Sequence, residues 1–430
     1  LKLSEVIEMG DKQTFLKQFD SIPAVFPVQG TARAHIHNGL DFPTTRDEYW
    51  KYTRVNAILD KDYIDNSWMP SSINEYSIPA MDSIDIVFVN GGFNKELSSN
   101  ASESGLVFGS VLNQDGENKN LILEHLGKYA DSEKHAFSAF NTSYFKDGAF
   151  IRIKKGCEIK RPLRILNLSG GVNQANNLRN LFLIEENAQV QIIAHNIGAE
   201  LQGGFVNVVT EVSVGDGSNL EYYLIENDGD ESSLINTTHV HQAGTSTAKV
   251  VTLTQSGRLV RNNLNFDING QGCESNMYGI YFTSGKQHLD NHTYADHRSP
   301  NCESNELYKG VMTERSTGVF NGKIMVRQEA QKTNAFQSNQ NILLSDNASI
   351  NTKPELEIYA DDVKCSHGCT IGQLDDEALF YLRSRGLNKL EASKLLIQAF
   401  AGDVLEEISI PALQEYVAEF IHKKFEDLDA

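Results

Sequence analysis

The densest run of metal-ligating side chains in the sequence is Cys365-Ser366-His367-Gly368-Cys369. Thiolates and imidazole suit zinc, iron and iron–sulfur clusters. If the run is a strand, its period of two puts Cys365, His367 and Cys369 on one face. At the rise of a strand, Cys365 and Cys369 then lie about 13 Å apart at Cα, too far for one mononuclear ion without a bend. Cys365 and His367, about 6.6 Å apart, make a feasible half-site. Its remaining ligands have to come from elsewhere, another chain included. The other reading makes the cysteines small buried hydrophobes facing a core.

Further candidates are weaker. Cys273 and Cys302 are 29 residues apart and match no local zinc motif, which suggests equivalent places in neighbouring repeats. Cys157 stands in a basic stretch from Arg152 to Arg164, either a reactive thiolate or part of a solvated face. His288, His292 and His297 lie near Asp290 and Asp296. They read either as a metal or acid–base site or as exposed turns between repeats. His239 and His241 share one side of an expected strand, with the same two readings. There is no phosphate-binding loop, no Gly-x-Ser-x-Gly elbow, no His-Glu-x-x-His and no dinucleotide fingerprint, so ATP hydrolysis by this chain is not expected.

Positioning these residues falls to a long chain with marked changes of texture. It has 430 residues, 40% of them hydrophobic, which is enough to build a core. The net charge of −19 disfavours nucleic acid and anionic membrane surfaces as partners. Five cysteines, odd in number and dispersed, suggest a reducing cytoplasm rather than a disulfide scaffold. No apolar run reaches membrane-spanning length, and the amphipathic start does not read as a signal peptide. The five Asn-x-Ser/Thr sequons, at Asn100, Asn141, Asn236, Asn291 and Asn347, are what an Asn-rich chain produces by chance.

Residues 1–144 read as mostly helical, with Glu5 to Phe19 and Asn118 to Tyr144 as helices, a short aromatic turn at Asp47 to Tyr52, and one strand at Ile84 to Val89. Residues 145–372 read as short strands separated by Gly/Asn/Ser/Asp turns. Aligning Val190, Leu220, Val250, Met277 and Leu307 gives steps near 30, and Cys273-Glu274-Ser275-Asn276 recurs literally as Cys302-Glu303-Ser304-Asn305. Such a period predicts a β-solenoid rather than a sandwich, which needs no fixed repeat.

Residues 373–430 read as three helices. The first has Asp375-Asp376-Glu377 at its start and Gly386 as its stop. The second is headed by Asn388 and Glu391 in a capping box, with Leu395, Ile397, Phe400, Val404, Leu405 and Ile408 on its apolar side. The third opens at Pro411 and carries the stripe Leu413, Tyr416, Val417, Phe420 and Ile421. This small bundle either caps the end of the solenoid, docks a partner, or does both.

The segments Glu306-Leu307-Tyr308-Lys309-Gly310-Val311, Val319 to Ile324, Ala330 to Ala335, Asn341 to Ser345, Pro354 to Gly368 and Leu379 to Gly386 resemble consecutive motifs of the SufB/SufD family. The match is dense from about 290 to 405 and looser upstream, around Thr45 to Tyr52. Lys364-Cys365-Ser366-His367-Gly368 is SufD-like, where SufB chains usually carry a His-Glu-Ala type sequence. The resemblance implies a right-handed parallel β-helix flanked by N-terminal and C-terminal α-helical domains. It implies a non-catalytic cytoplasmic scaffold that pairs with SufB through its last coils and binds the SufC ATPase through its C-terminal helices. A homodimer is possible when the chain is alone. No cofactor is expected to stay bound, but a transient iron–sulfur cluster shared with SufB is. The resemblance places His367 near that cluster, raises Cys365 with it, and leaves Cys369 a departure, since Ala is expected there. The competing expectation of another class is a β-helix enzyme acting on polysaccharides, which needs carboxylates grouped in a groove.

Overall fold

The computed structural model describes residues 12–424. Its centre is a parallel β-solenoid of about eight coils, in which successive strands alternate between a ten-stranded and a nine-stranded sheet. Most strands are ten residues long, from Leu163–Val172 to Ser349–Ile358. Phe205–Val214, with Val206, Val208, Val212 and Val214 along it, is one such strand. Both faces of these strands are covered, so polar and apolar residues alike are buried along them and the simple alternation is blurred.

Corners between strands repeat a left-handed residue: Asn187, Gly217, Gly272 and Asn301 all have φ between 56° and 70°. Each donates its backbone N–H to the corner one coil further on, as Asn187 does to Asp216 and Asn301 to Gln331. Gly and Asn adopt this conformation at least cost, which explains the periodic turn clusters.

The true register corrects the repeat alignment. Leu220 pairs with Ala248, not Val250, and Leu307 pairs with Tyr278, one place from Met277. The literal Cys-Glu-Ser-Asn repeat is in register, Glu274 lying beside Glu303.

The lumen is filled by inward side chains such as Ile192, Tyr222, Val250, Met277, Phe266, Phe320 and Ile324. The first end is closed by the chain itself. Ile84–Val89 adds to Leu163–Val172, and Leu106–Ser110 covers Ala149–Ile153 in antiparallel fashion. The other end, formed by Ser349–Ile358 and Lys364–Gly372, has no further strand on it among the described residues.

Helices lie on the two outer faces. Phe15, Phe19, Phe42, Phe137 and Phe140 pack with Phe205, Ile235 and Leu259 of the nine-stranded sheet. Of the helix expected at Glu5 to Phe19, the described part runs Lys12–Lys17, and residues before 12 lie outside the described residues. The continuous helix expected over Asn118 to Tyr144 is instead two, Gly116–His125 and Ala136–Tyr144. The buried Glu211 carboxylate breaks it. It accepts the backbone N–H groups of Gly127, Tyr129 and Ala130 while its other partner is Arg179, at 2.7 Å, both side chains being fully buried. Loop amides thus complete a charge that would otherwise be stranded in the core.

The C-terminal helices do not cap the solenoid end. Lys389–Leu405 and Pro411–Lys424 lie against the outer face of the ten-stranded sheet, where Ile397, Ala401, Val404, Leu413, Val417 and Ile421 meet Tyr223, Val251, Leu253, Ile280 and Val311. Lys249 Nζ donates to Glu407 O at 2.7 Å, and Lys309 bonds Phe400 O and Asp403. The capping box at Asn388 and Glu391 is present. Leu395 is exposed rather than packed, and Ile408 is buried beyond the end of the helix. Among the described residues no helix is long and apolar enough to cross a membrane.

Asp228 is buried with neither carboxylate oxygen hydrogen-bonded among the described residues. Burial, helped by the neighbouring Glu226, pushes its pKa up to about 8 from 3.8. The folded chain therefore holds a proton there that the unfolded chain has already released, and stability falls as pH rises from about 4 to about 8. Asp228→Asn removes this loss. Thermal melts should show the variant a few degrees above the unmodified chain at pH 9, with the gap closing towards pH 4.

Candidate functional site

The strand Lys364–Gly372 continues the ten-stranded sheet and sits in register on Asn334–Leu343. Its residues inherit the inward or outward direction of the coils beneath. Cys365 stands over Ala335 and Ser304, His367 over Gln337 and Glu306, and Cys369 over Asn339 and Tyr308. All of these underlying residues are buried. Cys365, His367 and Cys369 thus share the lumen-facing side, as a period of two requires. Among the described residues no further coil lies over them. Cys365 is half-buried against the core, with burial raising its thiol pKa, while His367 and Cys369 are exposed.

Around this group the coil keeps an unsatisfied edge. Among the described residues Lys364–Gly372 and Ser349–Ile358 each have one strand neighbour, so their outer backbone donors and acceptors point away from the solenoid. Ile350, Leu356 and Ile371 add apolar surface, Ile371 being 51% exposed. The N-terminal turn Glu48–Trp50 reaches this rim: Lys353 bonds Glu48 at 2.8 Å, and Tyr49, Tyr52, Ile350 and Ile371 border a pocket of about 420 Å³. The arrangement offers soft ligands on a template edge, with room for a second chain to supply the rest. Among the described residues no group of three or more His, Cys, Asp or Glu is set to hold a metal ion.

The other sequence candidates fall elsewhere. Cys273 and Cys302 are buried at neighbouring corners, where both thiols donate to the Gly270 carbonyl at 3.2 Å. The same column holds Ser246 and Thr333, small side chains that bond turn carbonyls. The pair is a ladder, as its spacing suggests. Cys157 is half-buried near the first coils.

His288, His292 and His297 are not on exposed turns; all three belong to the strand His288–His297. His297 faces the lumen and bonds Ser304 at 2.9 Å. His292 bonds Asp290 at 2.9 Å, beside Arg261, whose guanidinium lies 4.0 Å over Trp50. Burial lowers the His292 pKa, with Arg261 adding to it and Asp290 opposing it. Burial opposes ionisation of Asp290, but Arg261 and His292 outweigh it and hold the carboxylate charged. His239 and His241 lie under the N-terminal region; His241 stacks on Tyr129 at 5.0 Å and burial drops His239 to about 4. Both groups pin the N-terminal segment to the sheet.

Two buried residues beneath His367 escape a sequence reading, Glu306 and Gln337. Glu306 spans the lumen to Thr293 and accepts from Gln337 Nε2 at 2.8 Å. Burial pushes its pKa up to about 7. The signal for them was the inward column itself, which only the exact register reveals.

These features define a β-solenoid protein with one end closed by its own chain and one end open and rich in soft ligands. Residues 167–400 match the family model described as SUF system FeS cluster assembly, SufBD core domain, and residues 20–165 match the SufBD protein N-terminal region. An iron-sulfur cluster assembly SufBD family protein of Synechocystis is 34% identical over 397 residues, covering 89% of this chain and 87% of its own length. The iron-sulfur cluster assembly protein SufD of Escherichia coli is 28% identical, covering 91% of this chain and 93% of its own length. SufD of Bacillus subtilis is 25% identical, with 76% of each chain covered. The chain belongs to the SufBD family of iron–sulfur cluster assembly proteins.

The burial pattern predicts an order of thiol reactivity. A titration of the folded chain with an aromatic disulfide reagent should modify Cys369 first, and Cys273 and Cys302 only on unfolding. Peptide mapping after brief labelling distinguishes this from uniform modification.

Proposed function

We propose that this chain is the SufD-type, non-catalytic scaffold subunit of an iron–sulfur cluster assembly complex, and that its open coil pairs with the matching coil of a SufB-type partner. The observation that carries this reading is the unpaired last coil, with His367 and the two cysteines on its inward side. In this reading His367, with Cys365 beside it, contributes to the place where a cluster forms as transient cargo. A second chain docked on the same edge supplies the remaining ligands. Cys369 is an extra thiol on the same face. A site split between two chains can hold a cluster while they are closed and release it as they part.

ATP hydrolysis belongs to a SufC-type partner, consistent with the lack of a phosphate-binding loop in this sequence. Its docking place is the C-terminal helical region. The helix Asp376–Ser384 buries none of its residues, and Phe380, Tyr381 and Leu395 are exposed there. In the absence of SufB the same open edge accepts a second copy of this chain. All five cysteines are free, which suits a cytoplasmic location. No observation favours a polysaccharide-active enzyme, and family membership argues against it.

The test is a co-purification with only this chain tagged. The unmodified chain should bring down both the SufB and SufC partners. Phe380→Asp should lose SufC and keep SufB. His367→Ala should keep both partners, yet lower cluster formation by the complex at least about tenfold, in line with losing one ligand contact or its support. Recovery of the tagged chain alone, or undiminished cluster formation by His367→Ala, would overturn the reading.

A further inference from the structure

The three inward residues of the penultimate coil lie directly under Cys365, His367 and Cys369. Ala335, under Cys365, has no polar side chain. Asn339, under Cys369, spends its amide locally: Nδ2 donates to Tyr308 O at 3.1 Å and Oδ1 accepts from Asn341 Nδ2 at 2.6 Å. Gln337, under His367, differs. It is only 4% exposed, its Nε2 is committed to Glu306 Oε2, and its Oε1 is buried with no hydrogen-bond partner among the described residues.

The surroundings are shaped to hold that amide in place. Glu306 is fixed from the opposite sheet by the Thr293 hydroxyl. Gly322 clears the space beside Gln337, since a Cβ there would stand 2.2 Å from Gln337 Nε2. A larger residue at 322 would push the amide aside. The next side chain along the column is His367, one rung or about 4.8 Å further on. A histidine that binds a metal through one nitrogen commonly has its other N–H held by a neighbouring acceptor, which fixes the tautomer and the ring plane.

We propose that Gln337 is the positioning residue for His367: its amide, anchored on Glu306, presents Oε1 to one ring N–H of His367 when a partner closes the coil, leaving the other ring nitrogen bare and directed across the interface. This rests on the reading of His367 as a cluster ligand in the assembled complex. Glu306 and Thr293 act behind Gln337, so a line of three side chains ties the open coil to the lumen of the two coils beneath.

The experiment uses the full complex with its SufB and SufC partners, with a cluster assembled from ferrous iron and sulfide and then reduced by one electron. Pulsed electron paramagnetic resonance reads the coupling of histidine nitrogen to the cluster, and loss of iron to a chelator reads retention. His367→Ala identifies the coupling that belongs to His367. Gln337→Met keeps the side-chain volume and removes both polar atoms. It is expected to leave the complex and the melting temperature of the chain intact, to alter the quadrupole signature of the ring nitrogen not bound to iron, and to speed iron loss about 10–100-fold. Glu306→Gln, which keeps an acceptor for Gln337 Nε2, should rescue the wild-type spectrum, whereas Glu306→Leu should resemble Gln337→Met. An unchanged spectrum and unchanged iron loss in Gln337→Met would overturn the positioning role while leaving His367 as ligand. Absence of any His367 coupling in the unmodified complex would remove the ligand reading, and the positioning role with it.

Discussion

A parallel β-solenoid rests on one constraint: each coil's outward backbone donors and acceptors must be met by the next coil. Inner strands of this chain meet it twice, with registers that run almost unbroken from Gln189 to Leu343. At the first end the protein solves the problem internally, by folding Ile84–Val89 and Leu106–Ser110 onto the first coils. At the last end it leaves the problem open. Long exposed strand edges invite pairing with other chains, and soluble proteins generally blunt them. Here Lys353, Lys364 and the charged pair Lys353–Glu355 decorate the rim but do not cover it. The open coil is also where Cys365, His367 and Cys369 fall, so the unpaired edge and the soft side chains coincide.

Everything else in the molecule keeps that end free while covering the rest. The aromatic cluster around Phe15, Phe137 and Phe140 seals the nine-stranded sheet, and the C-terminal helices seal the ten-stranded one. Buried polar groups hold these covers in place. Glu211, paired with Arg179, accepts loop amides of the N-terminal region, Asp290, paired with Arg261, accepts the Thr53 hydroxyl, and Lys309 reaches Asp403. Arg179, Glu211, Arg261, Asp290 and Lys309 are buried and each is paired with an opposite charge, which favours one docking geometry over others more than it adds net stability.

The solenoid was legible because its signal is repetitive. The Cys-Glu-Ser-Asn repeat and the Gly/Asn corners both mark real rungs. The alignment still slipped at Val250 and Leu307, because the step from one coil to the next is not constant, running from Ser233 to Leu259 in one place and from Thr317 to Ser349 in another, and the slack is taken up between the strands. The break between the helices Gly116–His125 and Ala136–Tyr144 could not be read locally, since its cause, Glu211, is 80 residues away in the sequence. The histidines of the strand His288–His297 read either as a site or as turn residues because His and Asp are usually solvated, whereas here they are held by Thr53, Asp290 and Ser304. The Cys365-Ser366-His367-Gly368-Cys369 face was legible from strand periodicity alone. The column under it was not, because a Glu and a Gln on a strand ordinarily read as its solvent side.

The C-terminal helices have a mechanical consequence beyond docking. After the last strand the chain turns back along the ten-stranded sheet, touching Lys309, then Lys249, and at its far end bringing Tyr416 within 6.1 Å of the His195 ring. It is a strap laid across successive rungs. A solenoid without such a strap unzips one coil at a time from a free end. Here the strapped rungs have to open together, while beyond Lys309 the last coils are tied from outside by Leu344 against the helices and by Lys353–Glu48 on the opposite sheet. The protein therefore has a shaft bound across several rungs from outside and a tip held mainly by its own coil-to-coil hydrogen bonds.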